Sequence, residues 1–168
     1  MYRKVLIPLD GSREAEMVIP KIQPELAEDS EVILLKIIPP LKGETLGQLT
    51  VTSSEREEAE RVKAIDYLRE VIQREVIQRF EGSPSQWHCE AIVRKSVPEG
   101  IASFADQEGV EVIAMYTHDR KGLAKLIKGS IAEKVQRRAP IEVKVFRPQE
   151  LDEPVTAAVS ADEDLDLK

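Results

Sequence analysis

The chain has 168 residues, of which 42% are hydrophobic and 33% are charged, as is typical of a single globular domain with its own core. No apolar run approaches the roughly 20 residues that a membrane-spanning helix needs. The first apolar run is also too short for a signal peptide. The single cysteine, Cys89, excludes an internal disulfide, so we expect a cytoplasmic protein without a membrane partner.

The net charge of −7 is concentrated at the end of the chain. Residues 149–168 contain seven acidic residues and one basic residue, a net of −6, which leaves −1 for residues 1–148. We therefore expect a near-neutral domain over residues 1–148, with no basic field to attract nucleic acid. Apolar periodicity ends at Pro148, so residues 149–168 are predicted to be an acidic tail that is flexible unless it docks.

The first half of the chain begins with an apolar run at residues 5–9, typical of a strand that is buried on both faces. The Asp-Gly-Ser sequence that follows predicts a turn in which Ser12 caps a helix over residues 13–28, which its two prolines would kink or divide into two short pieces. The β-branched run at residues 32–38 predicts a second strand. A loop is predicted over residues 39–52.

The longest predicted helix covers residues 54–80, with Ser54 and Glu57 spaced as a capping box. The pentapeptide Arg-Glu-Val-Ile-Gln occurs twice in succession within it, at residues 69–73 and 74–78. Five residues match no helical period, so we interpret the repeat as a local duplication that lengthens a surface helix. The apolar stripe of this helix is predicted to comprise Val62, Ile65, Leu68, Ile72, Val76 and Phe80.

The second half of the chain continues the alternation, with Gly109 spaced to end a helix. Strands are predicted at residues 87–93, 110–115 and 141–146, and helices at residues 98–108 and 129–138. Strands and helices that alternate throughout indicate a three-layer α/β/α fold, with a parallel sheet between two layers of helices.

The predicted sheet has a candidate ligand site at one edge, because ligands of such sheets bind beyond the carboxyl ends of the strands. Residues 10–12, 37–38 and 115–119 would converge there. Gly129 and Ser130 open the following helix, whose free N–H groups suit a phosphate group. The alternative for this pair is an ordinary helix start.

Several segments, taken together, resemble one known family. They are Val5-Leu6-Ile7-Pro8-Leu9-Asp10-Gly11-Ser12, Thr117-His118, Gly122-Leu123, Gly129-Ser130-Ile131-Ala132-Glu133-Lys134-Val135 and Ala139-Pro140. Over residues 1–148 the chain is similar to the universal stress protein family. The resemblance implies a Rossmann-like, five-stranded parallel sheet in the order 3-2-1-4-5, usually a homodimer and often ATP binding.

The sequence departs from the pattern Gly-x-x-Gly-x9-Gly-Ser/Thr that the family's ATP-binding members carry. The four defined positions fall on Tyr116, Asp119, Gly129 and Ser130, of which only the last two match. A tyrosine ring would fill space where glycine lets backbone approach a ligand, and Asp119 would repel phosphates. The resemblance therefore implies a degenerate adenine-nucleotide site that binds ATP weakly or not at all, with a functional ATP or AMP site as the alternative.

The resemblance also assigns individual residues to this site. Asp10 matches the family's aspartate at the adenosine end, and the alternative is a turn residue that caps the first helix. Ile37 matches the position whose backbone meets adenine. The full set of candidate nucleotide-binding residues is Pro8, Asp10, Ile37, Met115, Tyr116, Asp119, Gly129, Ser130 and Ile131.

Three functions are compatible with these observations. A non-catalytic interaction module in the stress response ranks first, and an ATP-binding universal stress protein ranks second. An enzyme, such as a hydrolase or an adenylyl-transferring relative, ranks last because the sequence contains no P-loop, paired-carboxylate motif or nucleophile elbow. No catalytic residue and no metal ligand is predicted.

His118, Cys89 and Trp87 are predicted to have structural roles. His118 has no nucleophile partner at a diagnostic spacing, and Cys89 beside His88 lacks the spacing of metal ligands. Cys89 is predicted to pack in the core. Trp87 is predicted to lie at the surface or in an interface.

A homodimer is predicted through residues 141–146, because the family commonly pairs its final strands and an edge strand carries unpaired N–H and C=O groups. Lys144 on such an edge normally discourages pairing. In an antiparallel pairing centred near Val143, however, Glu142 of one chain would lie opposite Lys144 of the other. An unidentified protein partner is left open.

Overall fold

A five-stranded parallel sheet lies between two layers of helices. The computed structural model describes residues 1–46, 49–79, 85–117 and 130–147. In chain order its elements are β1 (Tyr2–Pro8), α1 (Arg13–Glu16), α2 (Val18–Ile22), β2 (Leu26–Ile38), β3 (Glu44–Leu46), β4 (Leu49–Val51), α3 (Ser53–Ile72), β5 (Gln86–Val93), α4 (Val97–Glu108), β6 (Val112–Tyr116), α5 (Ile131–Arg138) and β7 (Glu142–Phe146).

The five long strands stand in the order β5-β2-β1-β6-β7, and every neighbouring pair is parallel. Counted along the chain, this order is 3-2-1-4-5. The predicted fold class is therefore confirmed.

The apolar run of β1 lies at the centre of the sheet because both of its faces are covered. Val5 and Ile7 pack into one core cluster with residues of α1, α2 and α3. Leu6 faces the opposite way and packs into a second cluster with residues of α4 and α5. This two-sided burial explains why the run contains no polar residue between Val5 and Leu9.

The predicted helix over residues 13–28 is wrong in its second half. The chain breaks into α1 and α2, makes a 3-10 turn at Gln23–Glu25 and becomes extended at Leu26. Pro24 explains the end of the helix, because its ring removes the N–H that a continuing helix would use. β2 is therefore longer than predicted, and Asp29 adopts a positive φ of 60° where the pairing with β1 is irregular.

The start of α3 lies slightly earlier than predicted, and its cap involves other residues. Thr52 Oγ1 accepts a 3.2 Å hydrogen bond from Glu55 N–H, and the Thr52 N–H donates to Glu55 Oε2 at 2.8 Å. The predicted Ser54–Glu57 box is therefore wrong. Glu57 instead accepts a hydrogen bond from the N–H of Leu41. The predicted loop before this helix contains the antiparallel hairpin of β3 and β4.

The buried face of α3 is rotated from the predicted stripe. Val62 is 53% exposed, whereas Ala64, Leu68 and Val71 are buried. Beyond Ile72 the helix continues as a π-helical turn at Gln73–Ile77, which begins at the last residue of the first pentapeptide copy and includes four residues of the second. Phe80 lies outside the described residues.

The remaining elements agree with the predictions to within a few residues. β6 begins at Val112, and Gly109 ends α4 in the left-handed conformation with φ 63°. Trp87 and Cys89 are both partly buried and pack against the first core cluster. His118 and the acidic tail lie outside the described residues. Within the described part of the chain, no helix is long and apolar enough to cross a membrane.

Candidate functional site

The turn after β1 is held by its own polar side chains. Asp10 Oδ1 accepts hydrogen bonds from the Ser12 N–H at 2.8 Å and from the Ser12 hydroxyl at 2.6 Å. Ser12 Oγ in turn accepts from the N–H of Ala15, so Ser12 caps α1 as predicted. Gly11 has a φ of +101°, which L residues with a side chain rarely adopt. The sequence Asp-Gly-Ser therefore builds a rigid rim at the carboxyl end of the central strand.

A crevice lies at this rim, where β1, β2 and β6 end. It is a cavity of about 200 Å³ whose lining is mainly apolar. Its charged lining residues are Asp10 and Lys36. Its apolar and aromatic lining residues are Pro8, Leu9, Ala15, Leu35, Ile37, Val97, Ile101, Met115, Tyr116 and Ile131.

The crevice brings together six of the nine predicted site residues, namely Pro8, Asp10, Ile37, Met115, Tyr116 and Ile131. Ser130 is not in the lining and acts as the N-cap of α5, where its hydroxyl accepts a 3.1 Å hydrogen bond from the N–H of Glu133. This hydroxyl therefore serves as an ordinary helix cap, which was the alternative to a phosphate-binding role for the pair. Asp119 and Gly129 lie outside the described residues.

Tyr116, which occupies a glycine position of the ATP-binding pattern, is partly buried. It packs against the core cluster on the α1 side and lines the crevice next to Met115. Met115 faces the other core cluster, as expected for successive residues of a strand. The ring of Tyr116 therefore borders both the crevice and the core.

Lys36 is the charged lining residue that the sequence did not predict. Burial lowers the pKa of its ammonium group, and the nearby Asp10 carboxylate acts in the opposite direction. Its Nζ atom lies 5.3 Å from the ring centroid of Tyr67 and 3.2 Å from the point where a Cβ on Gly11 would stand. A lysine within the otherwise apolar run at residues 32–38 was the signal that could have identified it.

Tyr67 is itself fixed by a cluster of buried carboxylates, the Glu16–Glu75 cluster, which consists of Glu16, Glu75, Arg13, Arg74 and Arg79. Glu16 and Glu75 are only 4% and 2% exposed. Arg13 donates to both carboxylates at 2.8 Å, and Arg74 donates to them at 2.6 and 3.0 Å. Arg79 pairs with Glu75 at 3.0 Å. The Tyr67 hydroxyl donates to Glu16 Oε1 at 3.0 Å, so every described charge in the cluster has a partner of opposite sign.

The histidine, cysteine and acidic side chains of the described residues do not form a metal-binding or nucleophilic site. In the described ranges, no group of three or more His, Cys, Asp or Glu side chains could hold a metal ion. Burial raises the pKa of the Cys89 thiol, which disfavours the reactive thiolate. His88 points to Glu31 at 3.9 Å rather than to Cys89.

The parallel order 3-2-1-4-5, with a crevice at the carboxyl ends of β1, β2 and β6, defines a doubly wound α/β protein, a class in which ligands bind at this edge of the sheet. The model of the Universal stress protein family matches residues 1–147. The chain belongs to this family.

Individual relatives agree with that assignment. A universal stress protein of Staphylococcus haemolyticus is 26% identical over 166 residues, which covers 96% of this chain and 94% of the relative. One from Methanocaldococcus jannaschii is 25% identical over 157 residues, which covers 88% of this chain and 96% of the relative.

Solved structures show the same fold at lower identity. The universal stress protein UspA of Lactobacillus plantarum superposes with a TM-score of 0.59 at 20% identity, covering 87% of this chain and 98% of its own. A universal stress protein crystallised in complex with cAMP superposes with a TM-score of 0.59 at 16% identity, covering 87% of this chain and 97% of its own.

Proposed function

We propose that this protein is a non-catalytic regulatory module of the stress response, acting in the cytoplasm, whose crevice binds ATP weakly or not at all. The observation that carries the proposal is Tyr116 in the crevice lining, at a position where the family's ATP-binding pattern has glycine. A glycine there would let the backbone approach a ribose or phosphate, whereas the tyrosine ring takes up that space.

The size of the crevice also supports weak nucleotide binding. Its volume of about 200 Å³ is smaller than the ~300–1,000 Å³ typical of sites that enclose a ligand of drug size.

Calorimetric titration with Mg-ATP and with cAMP tests the proposal. We expect little or no heat of binding from the wild-type chain, and stronger ATP binding after Tyr116 and Asp119 are both changed to glycine. Because Tyr116→Gly also removes packing from β6, Tyr116→Ala and a thermal melt of each variant serve as controls. A micromolar dissociation constant for wild-type ATP would instead support the alternative of a functional ATP-binding universal stress protein.

We also propose that the protein forms a homodimer through β7. In the described residues β7 is the last strand on its side of the sheet, so one edge is available for pairing. Two of its side chains already have partners within the chain, since Glu142 accepts a hydrogen bond from the Tyr2 hydroxyl and Lys144 pairs with Glu25. A Glu142–Lys144 pair between chains would have to compete with these contacts.

A further inference from the structure

We propose that the crevice binds a small apolar carboxylate, with Lys36 as the residue that holds the acid group. The inference rests on the proposed function in one respect, since it takes the same crevice to be the ligand site. It goes further by naming the class of ligand that such a site would accept in place of a nucleotide.

The first argument is the electrostatic state of Lys36. The side chain is half-buried, and no hydrogen bond or ion pair joins it to another described residue. A buried ammonium group without a close acceptor is costly, and an anion beside it removes part of that cost. The crevice wall therefore offers a cation whose bonding capacity is not used by its described neighbours.

The second argument is that Asp10 does not cancel this cation. Its Oδ1 already accepts two hydrogen bonds from Ser12, and the residue is exposed. Water screens an exposed carboxylate much more than it screens a half-buried ammonium group. The field inside the crevice is therefore governed by Lys36, while Asp10 acts at the rim.

The third argument is that Lys36 is held in place before a ligand arrives. Its ammonium group stands over the ring of Tyr67 at 5.3 Å from the centroid, a cation–π arrangement. The ring cannot swing away freely, because its hydroxyl is bound to Glu16. Arg13 and Arg74 hold Glu16 in turn. A cation fixed in this way loses little conformational entropy on binding an anion.

The fourth argument concerns the rest of the ligand. Beyond Lys36 the lining consists mainly of aliphatic side chains, among them Ile37, Ile101 and Met115. Val97 and Ile131, which also line the crevice, are large apolar residues left exposed to solvent. Covering them with a hydrocarbon is favourable. The volume of about 200 Å³ limits the ligand to a short aliphatic chain or a single ring.

Octanoate and its neutral isostere octanamide are the probes. We expect the wild-type chain to bind octanoate at least about tenfold more tightly than octanamide in calorimetric titration. Methyl NMR signals of Ile37, Ile101 and Met115 should shift on titration with octanoate. The methyl signals of Ile22, which does not line the crevice, should stay in place.

Substitution of Lys36 provides the second test of the proposed carboxylate site. Lys36→Met should weaken octanoate binding about tenfold and leave octanamide binding unchanged, while Lys36→Arg should retain most of the affinity. Lys63→Met is the matched control, because Lys63 is an exposed lysine of α3 that pairs with Glu60 on the surface and does not line the crevice. It should bind octanoate like the wild type.

Three results would overturn the inference: no octanoate binding by the wild type, equal affinity for octanoate and octanamide, or an affinity that Lys36→Met does not change. If Lys36→Met fails to fold, the wild-type comparison and the methyl shifts decide the question. None of these results bears on whether ATP binds. Tight ATP binding would contradict the proposed function without altering the octanoate measurements.

Discussion

The hydroxyl of Tyr67 donates a 3.0 Å hydrogen bond to Oε1 of Glu16, which lies 51 residues earlier in the chain. This bond connects α3 to α1 directly behind the turn that forms the rim of the crevice. Because the same tyrosine ring lies beneath Lys36, the bond links the buried Glu16–Glu75 cluster to the crevice. The first two predictions test this connection.

Removing the guanidinium group of Arg74 should destabilise the fold. Arg74 donates to both Glu16 and Glu75, and its loss leaves two buried carboxylates with fewer donors. Because Arg13 and Arg79 remain and Arg74 itself is partly exposed, we expect Arg74→Met to lower the free energy of unfolding by about 2 kcal/mol. Urea denaturation monitored by circular dichroism measures this change.

Arg69 provides the matched control, since it holds the equivalent place in the first copy of the pentapeptide. Its side chain is 70% exposed and pairs with Asp66 at the surface. We expect Arg69→Met to cost less than about 0.5 kcal/mol. Equal effects of the two substitutions would contradict a special role for the second copy.

Tyr67 should make stability depend on alkaline pH. Burial raises the pKa of its hydroxyl above the ordinary value, and the hydrogen bond to Glu16 acts in the same direction. The unfolded chain therefore loses this proton at a lower pH than the folded chain. The stabilisation is complete below about pH 10, the ordinary tyrosine pKa, and is lost as the pH rises towards the folded value.

The difference in unfolding free energy between wild type and Tyr67→Phe should accordingly be largest near neutral pH and shrink above about pH 10. Urea denaturation at a series of pH values measures it. Ultraviolet titration of the phenolate should also show one less high-pH ionisation in the variant. A difference that stays constant across this range would mean that Tyr67 titrates normally.

The cap of α3 can be tested with two neighbouring hydroxyl residues. Thr52→Ala removes an acceptor for the N–H of Glu55 and should cost about 1 kcal/mol of stability. Ser54→Ala, within the first turn of the helix, should have almost no effect. Thermal or urea unfolding measures the stability loss in each variant. A larger loss from Ser54→Ala than from Thr52→Ala would instead support a capping box formed by Ser54 and Glu57.

The proposed dimer can be tested at Lys144. Sedimentation of the wild type should give about twice the chain mass of 18.9 kDa, and Lys144→Glu should shift the equilibrium towards monomer by placing like charges on paired edges. Glu25→Gln is the control, because it breaks the same contact within the chain without reversing a charge on β7. A wild-type monomer, or equal dissociation by both variants, would remove β7 from the interface.

The sequence alone was sufficient to predict structural features that depend on residues close together in the chain. The uninterrupted apolar run around Val5 required burial on both faces, and the alternation of strands and helices required a parallel sheet. The short polar sequence after β1 forms a turn by itself, because Asp10 and Ser12 form hydrogen bonds with each other and with the adjacent backbone. The six predicted residues that line the crevice came from the family resemblance together with the expected position of ligands at this edge of the sheet.

Only the tertiary structure decided the surroundings of charged residues. Glu16 and Glu75 have sequence contexts like those of exposed helical glutamates, yet both are buried where folding brings two separate segments together, so that Arg13 pairs with Glu75 and Arg74 pairs with Glu16. Lys36 became part of the crevice because Tyr67 and Gly11 come together around its ammonium group. The free energy of a buried charge depends on partners that folding brings into contact, and no local pattern in the sequence specifies which partners those are.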